Sequence, residues 1–493
     1  MTKKAIINSI FPSTTTAIAA IPESTKPRAC VQSLYAEDCE NDRYTACSGG
    51  VVYRWHQDHW YAQTQTESNK EALKWLKSFD RAKATAAVAQ TCVDTAVLEM
   101  RALPDRPRKN ATIVPLKDRW LVVQPDGQIY GVEPDPAVGI THRISCDNNI
   151  PEGHYVPQQL PDDSLFAKFL NSSLPDKEVQ NFVQEYVGST FIANNRFQVG
   201  TLWIGAGSNG KSLLLNVVRA LHERSAPIRL DKLDGFDLQV LVGASLAYCD
   251  ETPKSKINQQ ALKSLISGGS VQINRKFLEP IDYRCTAKFI ICSNHLPSAA
   301  DQTDGWWRRL HIVEWNQQIK GKQIIYSLDD RIVDEELGIV LDWALLGLQR
   351  LLARGQFAVP EVMEKAKQEA IQATNTVSSW IQDAGVALSK LPGQMMGKPD
   401  IYERYGDYCN QLSVIPVSYG EFCKRLKAIF PAANEDRPVV NTKGQKMRVR
   451  RIGLVIGQFD VGVSAEDPQA DINSTVMANI PMSDEDFDPF KNM

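Results

Sequence analysis

No stretch of this 493-residue chain approaches the roughly 18 consecutive apolar residues of a membrane-spanning helix, so a membrane partner is not expected. Its ten cysteines are scattered and include no C-x₂-C pair, which argues for reduced thiols in a cytoplasm over a disulfide framework. Cys30, Cys39 and Cys47, with His56 and His59 beyond, come nearest to a zinc set but lack the paired spacing such sites use. A secretory leader is not expected either: Lys3, Lys4 and the small residues Ala17 to Ala20 hint at one, but Asn8, Ser9, Pro12 and Thr14 to Thr16 break its apolar core. Strong net charge is absent too, at −3, but the total hides an asymmetry. From Ser464 onward seven acids face one lysine, a net of −6, which leaves +3 for the rest.

What is present is an ordinary globular composition, 43% hydrophobic and 23% charged, at a length that suggests about three domains. The chain is organised around Phe197 to Leu221. An apolar run ends at Ile204, a glycine-rich turn follows, and Lys211 and Ser212 open an apolar-periodic segment. This strand–loop–helix carries G-x-x-x-x-G-K-S across Gly205, Ala206, Gly207, Ser208, Asn209, Gly210, Lys211 and Ser212. Glycines let backbone N–H groups curl inward where a Cβ would clash, and the new helix directs its unpaired N–H groups at an anion. Lys211 would reach the β- and γ-phosphates of ATP, and Ser212 would hold Mg²⁺. The plain alternative is a chance glycine turn.

Downstream, Leu246-Ala-Tyr-Cys ends in Asp250 and Glu251. A carboxylate pair there suits metal anchoring (Asp250, with Ser212) and polarisation of an attacking water (Glu251). Val271 to Pro280 reads as a hairpin with Arg275, Lys276 and Phe277 at its tip, fit for a DNA backbone and a stacked base or equally for a solvated turn. Ala287 to Ser293 is a buried strand ending at Asn294, which can sense a γ-phosphate. Arg308 and Arg309 precede the strand His311 to Trp315 and are either structural or a finger for a neighbouring subunit's nucleotide.

Around this core the expected organisation is a flexible leader over 1–48, an α+β domain over 49–160, an ATPase core with flanking helices over 161–392, a small unit over 399–460 and a disordered acidic tail over 464–493. The leader shows no clear period. In the second segment Gln57-Asp58-His59 and Pro125-Asp126-Gly127 are hairpin turns. Pro175-Asp176 opens a helix that Gly188 closes, and Pro360 to Ile381 reads as one long helix. The small unit reads helix, helix, basic hairpin, a winged-helix pattern. Its Lys443, Lys446, Arg448, Arg450 and Arg451 would face DNA phosphates, or else dock a protein. The tail's Asp484-Glu-Asp-Phe487-Asp-Pro-Phe490 either solubilises or recruits a replication partner.

Gly205 to Ser212, Asp250-Glu251, Lys263…Gly268-Gly269, Ser293-Asn294-His-Leu-Pro297 and Trp307-Arg308-Arg309 fall in the order of superfamily 3 helicases. The chain resembles the phage and plasmid primase-helicase group of that superfamily, of which Asn209 before Gly-Lys-Ser is a mark. The likeness spans about Tyr53 to Ile456 and is strongest from Phe166 to Trp315. Where the family has Gly-Gly-Asp, this chain has Gly268-Gly269-Ser270. The resemblance implies an α/β P-loop core of AAA+ type and a homo-oligomeric ring, a hexamer in this group. It also implies ATP- and Mg²⁺-dependent translocation on single-stranded or forked DNA in the cytoplasm of a bacterial host. By position it makes Lys211, Ser212, Asp250 and Glu251 the nucleotide and metal site, Asn294 the sensor, Arg308 or Arg309 the finger, and Arg275–Phe277 the DNA hairpin.

Two other readings stay open on the residues: a DNA-binding initiator or loader switched by ATP without unwinding, and a P-loop small-molecule kinase. Primase activity is not expected, because the first fifty residues are too few for such a domain and show no serviceable acid pair.

Overall fold

The computed structural model describes residues 30–107, 112–146, 150–252, 257–275, 278–296, 304–320, 325–374, 376–391, 393–412, 416–442 and 445–457. The described residues up to Lys367 form one compact unit and those from Gln368 form another.

The first unit opens with α1 (Val31–Asn41), a three-stranded antiparallel sheet β1 (Thr45–Ser48), β2 (Val51–Trp55) and β3 (Trp60–Ala62), then α2 (Gln65–Phe79) and α3 (Ala86–Glu99). The leader expected to end at 48 therefore already holds a helix. Val31, Tyr35, Ala36 and Cys39 of α1 bury against Ala72, Leu76, Cys92 and Val93, contacts across sequence that no local period announces. Thr64 starts α2 with a capping box: Glu67 N–H donates to Thr64 Oγ1 (3.3 Å) and Thr64 N–H to Glu67 Oε2 (2.7 Å). Four antiparallel strands follow, β4 (Thr112–Leu116), β5 (Arg119–Val123), β6 (Ile129–Val132) and β7 (Gly153–Tyr155). Both expected hairpins form, with Trp55 opposite Trp60 and Val123 opposite Ile129.

The centre of the unit runs through α4 (Leu165–Ser173), α5 (Lys177–Ser189), β8 (Gly200–Ile204), α6 (Lys211–Ala220), β9 (Ser225–Pro227), β10 (Leu246–Cys249) and α7 (Gln259–Ile266). It continues through the hairpin β11 (Ser270–Arg275) and β12 (Leu278–Arg284), then β13 (Lys288–Ser293), α8 (Asp304–Trp307), β14 (Leu310–Glu314) and α9 (Leu328–Arg354). Five strands form an all-parallel sheet in the order β14-β8-β13-β10-β9. Every residue of β13 is buried, as a parallel strand covered on both faces requires. Tyr186 of α5 is tied to that strand: its hydroxyl donates to Phe289 O (2.6 Å) and accepts from Phe289 N–H (3.1 Å).

Asp176 caps α5 as expected, its carboxylate accepting from the N–H groups of Glu178 (2.8 Å) and Val179 (3.3 Å). Gly188 does not close the helix, which runs on to Ser189. It is a crossing point instead: a Cβ there would lie 2.3 Å from Ala344 O of α9, and one at Gly347 of α9 would lie 2.4 Å from Gln184 O of α5.

A helix α10 (Glu361–Thr374) leads into the second unit, which has α11 (Thr376–Asp383), β15 (Val386–Leu388), β16 (Met396–Gly397), α12 (Lys398–Gln411) and α13 (Tyr419–Ile429), then β17 (Glu435–Asp436) to β21 (Leu454–Ile456). The helix expected over 360–381 is present as α10 and α11, on either side of residue 375, which lies outside the described residues. The second belongs to this unit, whose boundary lies earlier than residue 399: Val377, Trp380 and Ile381 share a core with Ile401, Tyr405, Phe422 and Leu426. The basic hairpin forms, β18 (Val439–Thr442) pairing with β19 (Gln445–Arg448). Lys276, Phe277 and Lys443 lie outside the described residues, as do the tail and the leader up to residue 29. Among the described residues no helix is long and apolar enough to cross a membrane.

Candidate nucleotide site

The glycine loop joins the C-terminal end of β8 to α6, and its glycines have separate reasons. Gly207 and Gly210 take φ of 88° and 91°, the left-handed region that a Cβ disfavours. Gly210 is also walled in: a Cβ would meet Phe169 Cε2 and Ser173 Oγ of α4, both at 2.7 Å. At Gly205 a Cβ would lie 2.2 Å from Asn209 Nδ2 and 2.4 Å from Trp315 O. That second atom reveals a support that sequence inspection did not pick out. Asn209 is buried, and its amide donates to Trp315 O (3.0 Å), while Ile319 N–H donates to Ser208 O (2.8 Å). The chain leaving β14 therefore clasps the loop. The signal was local but unremarkable, an apolar strand ending in tryptophan.

Lys211 is 5% exposed. Its ammonium donates to Gly205 O (2.6 Å) and Asn209 Oδ1 (2.9 Å), with Asn294 Oδ1 at the outer limit of bonding, 3.5 Å. Burial lowers its pKa from the ordinary lysine value, against the opposing influence of Cys292 and Asp250. Ser212 Oγ donates to Asp250 Oδ1 (2.9 Å) just past the end of β10. Sheet order explains the convergence. β13 is inserted between β8 and β10, so Asn294 emerges between the loop and the acids. Asp250 and Glu251 are both exposed, and Thr252 fixes the turn after them by donating its hydroxyl to Cys292 O (3.0 Å).

Arg308 and Arg309 are not brought to this site. They precede β14, and Arg309 O accepts from Gly200 N–H at the start of β8 (2.7 Å). The glycine loop leaves the other end of that parallel pair, about 16 Å away for a five-residue strand. The two arginines also differ. Arg309 Nε donates to Ser267 Oγ (2.6 Å) and its Nη1 to Gly305 O, whereas Arg308 is exposed. At the hairpin, Arg275 Nη1 donates to Gly50 O in the β1–β2 turn (2.8 Å), tying the hairpin to the N-terminal sheet. In the second unit Arg451 is held in a two-point pair by Asp436 (2.7 and 3.0 Å), leaving Arg448 and Arg450 exposed.

A further cluster lay unread in the sequence. His59, 1% exposed, donates from Nδ1 to Asp58 (2.5 Å) and from Nε2 to Glu223 (2.9 Å), the latter just past α6. Arg143 bridges the same carboxylates, to Asp58 at 3.2 Å and Glu223 at 2.6 Å. Burial pushes His59 down and the carboxylates up, but their mutual bonds outweigh it: His59 is raised and Asp58 and Glu223 are lowered.

A family of unknown function, DUF5906, matches residues 203–309, a stretch from within β8 to Arg309 that includes most of the glycine loop's surroundings, the acids, Asn294 and both arginines. C962R of African swine fever virus, named as a candidate primase, is 25% identical over 171 residues, 32% of this chain and 18% of that protein. L207/L206 of Acanthamoeba polyphaga mimivirus, named as a candidate helicase, is 25% identical over 166 residues, 31% of this chain and 17% of that protein. The chain thus spans under a fifth of the length of these viral relatives. Among solved structures, the apo C-terminal region of NrS-1 (305–718) overlaps 84% of this chain and 96% of that one at 14% identity, with a TM-score of 0.40.

Proposed function

We propose that the chain is an ATP-dependent DNA helicase of superfamily 3 type, a ring-forming P-loop ATPase with an AAA+-like core that serves replication of a phage, plasmid or related element. The observation that carries this reading is the convergence of Lys211, Ser212, Asp250 and Asn294 at one end of three adjacent parallel strands. Their fit to nucleotide rests on the glycine positions that exclude a Cβ, a buried ammonium, and a hydroxyl–carboxylate pair of the oxygen type that Mg²⁺ takes. Lys211 would hold the β- and γ-phosphates, and Ser212 with Asp250 would hold Mg²⁺. The ion, when bound, neutralises charge developing on the phosphates. Glu251 would polarise the attacking water and accept its proton, and Asn294 would report the γ-phosphate to β13. The relatives named as primase and helicase support replication as the setting.

Arg308, exposed and a strand's length from its own loop, is the better finger for a neighbouring copy, and Arg309 is the residue that positions it. The second unit would be the winged-helix DNA contact, through Arg448 and Arg450. ATP hydrolysis stimulated by single-stranded DNA, measured for wild type and Lys211→Ala, tests the reading; undiminished hydrolysis in the variant overturns the site. Strand displacement on forked DNA then separates a motor from an ATP-switched initiator, which would bind without unwinding.

A further inference from the structure

A second cavity, of about 410 Å³, opens at the opposite end of the sheet from the glycine loop. Three segments far apart in sequence bring arginines to it: Arg106 ahead of β4, Arg196 between α5 and β8, and Arg284 at the end of β12. All three are exposed at its mouth. Its apolar wall includes Ile113, Ile140 and Ile192, and the amides of Asn194 and Gln198 also line it. Among the described residues no carboxylate lines it.

Directly behind the wall, Lys288 is 5% exposed and donates to Ile192 O (2.9 Å), Thr286 O (3.0 Å) and Asn195 Oδ1 (3.4 Å). None of these four cations forms an ion pair with a described carboxylate. Arg284 Nε is bonded to a neutral carbonyl, Gly268 O (3.0 Å), and Arg196 to the Thr112 hydroxyl. The crowding of positive charge leaves its mark. Burial pushes Lys288 down to about 7, with Arg196 adding to the effect, and burial likewise pushes neighbouring His142 down to about 4, with Lys288 and Arg106 contributing. Like charges gathered without counter-charge destabilise the fold that holds them. A concave site with an apolar wall, a few convergent polar groups and this volume is the form of a small-ligand pocket, and guanidinium groups are matched to phosphate oxygens.

We propose that the cavity ringed by Arg106, Arg196 and Arg284 binds a phosphate-bearing ligand, at a site separate from the glycine loop. The phosphate comes either from a free nucleotide seated on the isoleucine wall or from a single DNA strand whose backbone crosses the mouth.

The full chain carrying Lys211→Ala, which disables the loop, is titrated with two probes: ATP by equilibrium dialysis, and a fluorescein-labelled 20-nucleotide oligo(dT) by anisotropy. Adding Arg196→Ala and Arg284→Ala together weakens at least one probe by tenfold or more. The charge-keeping pair Arg196→Lys and Arg284→Lys stays within about threefold, and the alanine pair raises the unfolding midpoint because mutual repulsion is relieved. Loss confined to ATP assigns a nucleotide. Loss confined to the oligonucleotide assigns the DNA backbone, and the salt slope then falls by about 1.4 for two lost phosphate contacts. Binding of both probes within twofold of the Lys211→Ala parent overturns the proposal. Because the loop lysine is absent throughout, that failure leaves the ATPase reading standing, and failure of the ATPase reading leaves this site standing.

Discussion

Gly188→Ala sets two effects against each other within one helix. Helix propensity favours alanine over glycine by about 1 kcal/mol. The crossing with α9 opposes it: the new Cβ would lie 2.3 Å from Ala344 O, 2.8 Å from Leu348 N and 2.9 Å from Leu348 Cβ, where ordinary contacts start near about 3.5 Å. Two of those atoms are backbone and cannot rotate away, so α5 and α9 must part by about 1 Å. Overpacking of this sort costs about 1–3 kcal/mol, and the separation also stretches the buried bond that Gln184 Nε2 of α5 donates to Trp343 O of α9 (2.7 Å). The steric effect wins by about 1–2 kcal/mol, a five- to thirtyfold change in the folded ratio. Hydrogen exchange should therefore show the protected amides of α5 and α9 exchanging faster by that factor. Gly347→Ala acts on the same crossing, so the double variant should cost less than the sum of the two. Gly406 is the control, since it sits inside α12 with nothing within 4 Å of an added Cβ; Gly406→Ala should stabilise its own unit by up to about 1 kcal/mol. If Gly188→Ala is as stable as wild type while Gly406→Ala behaves as stated, the close approach of α5 and α9 is refuted.

Gly210→Ala combines a left-handed backbone with a clash against Phe169 and Ser173; displacing the loop by about 1 Å should lower ATP hydrolysis by about a hundredfold, and the left-handed backbone, at about 1–2 kcal/mol for a side chain, should lower the unfolding midpoint as well. For the proposed ring, Arg308→Ala should lower hydrolysis by at least about 10³-fold and poison wild-type rings when mixed in below equal ratio, whereas Arg309→Ala should also lower the unfolding midpoint because its tie to Ser267 is lost. The His59 cluster makes a pH prediction. His59 is raised above its ordinary 6.5, so its contribution is fully present below that pH and is lost as pH rises through the folded value. Asp58 and Glu223 are lowered from 3.8 and 4.5, so theirs is present above those values and lost as pH falls. The stability gap between wild type and His59→Gln, read from urea titrations, should be largest between about pH 4.5 and 6.5 and shrink towards pH 9; a gap that widens with pH would refute the assignment of charge.

The turn conformation of the glycine loop, the place of the acids at a strand end and the hairpins were readable because they are set locally. A φ near +90°, a capping carboxylate or a two-strand turn leaves its residue type at a fixed offset. What was misread depended on distant partners. Gly188 looked like a helix stop because α9 is not visible from α5. Arg275 and Arg451 looked free for DNA because Gly50 O and Asp436 lie 225 and 15 residues away. Val377 and Trp380 looked like the end of one long helix until Tyr405 and Phe422 gave them a core.

Sheet order was the largest unreadable term, and it governs the site. β13 follows β10 in sequence yet lies between it and β8, which is why Asn294 reaches Lys211 across 83 residues. The same parallel pairing sends β14 alongside β8 in matched register, Leu310 beside Gly200 and Glu314 beside Ile204. Residues that precede β14 must then sit at the end where β8 begins, and residues that follow it must sit beside the glycine loop. Trp315 and Ile319 follow it and clasp the loop; Arg308 and Arg309 precede it and face away. One strand thus carries the loop's support at one end and two guanidiniums at the other. If Arg308 or Arg309 acts on ATP, as proposed, it must then do so from a second copy of the chain, and on that reading an isolated subunit, whatever its affinity for nucleotide, should hydrolyse it slowly.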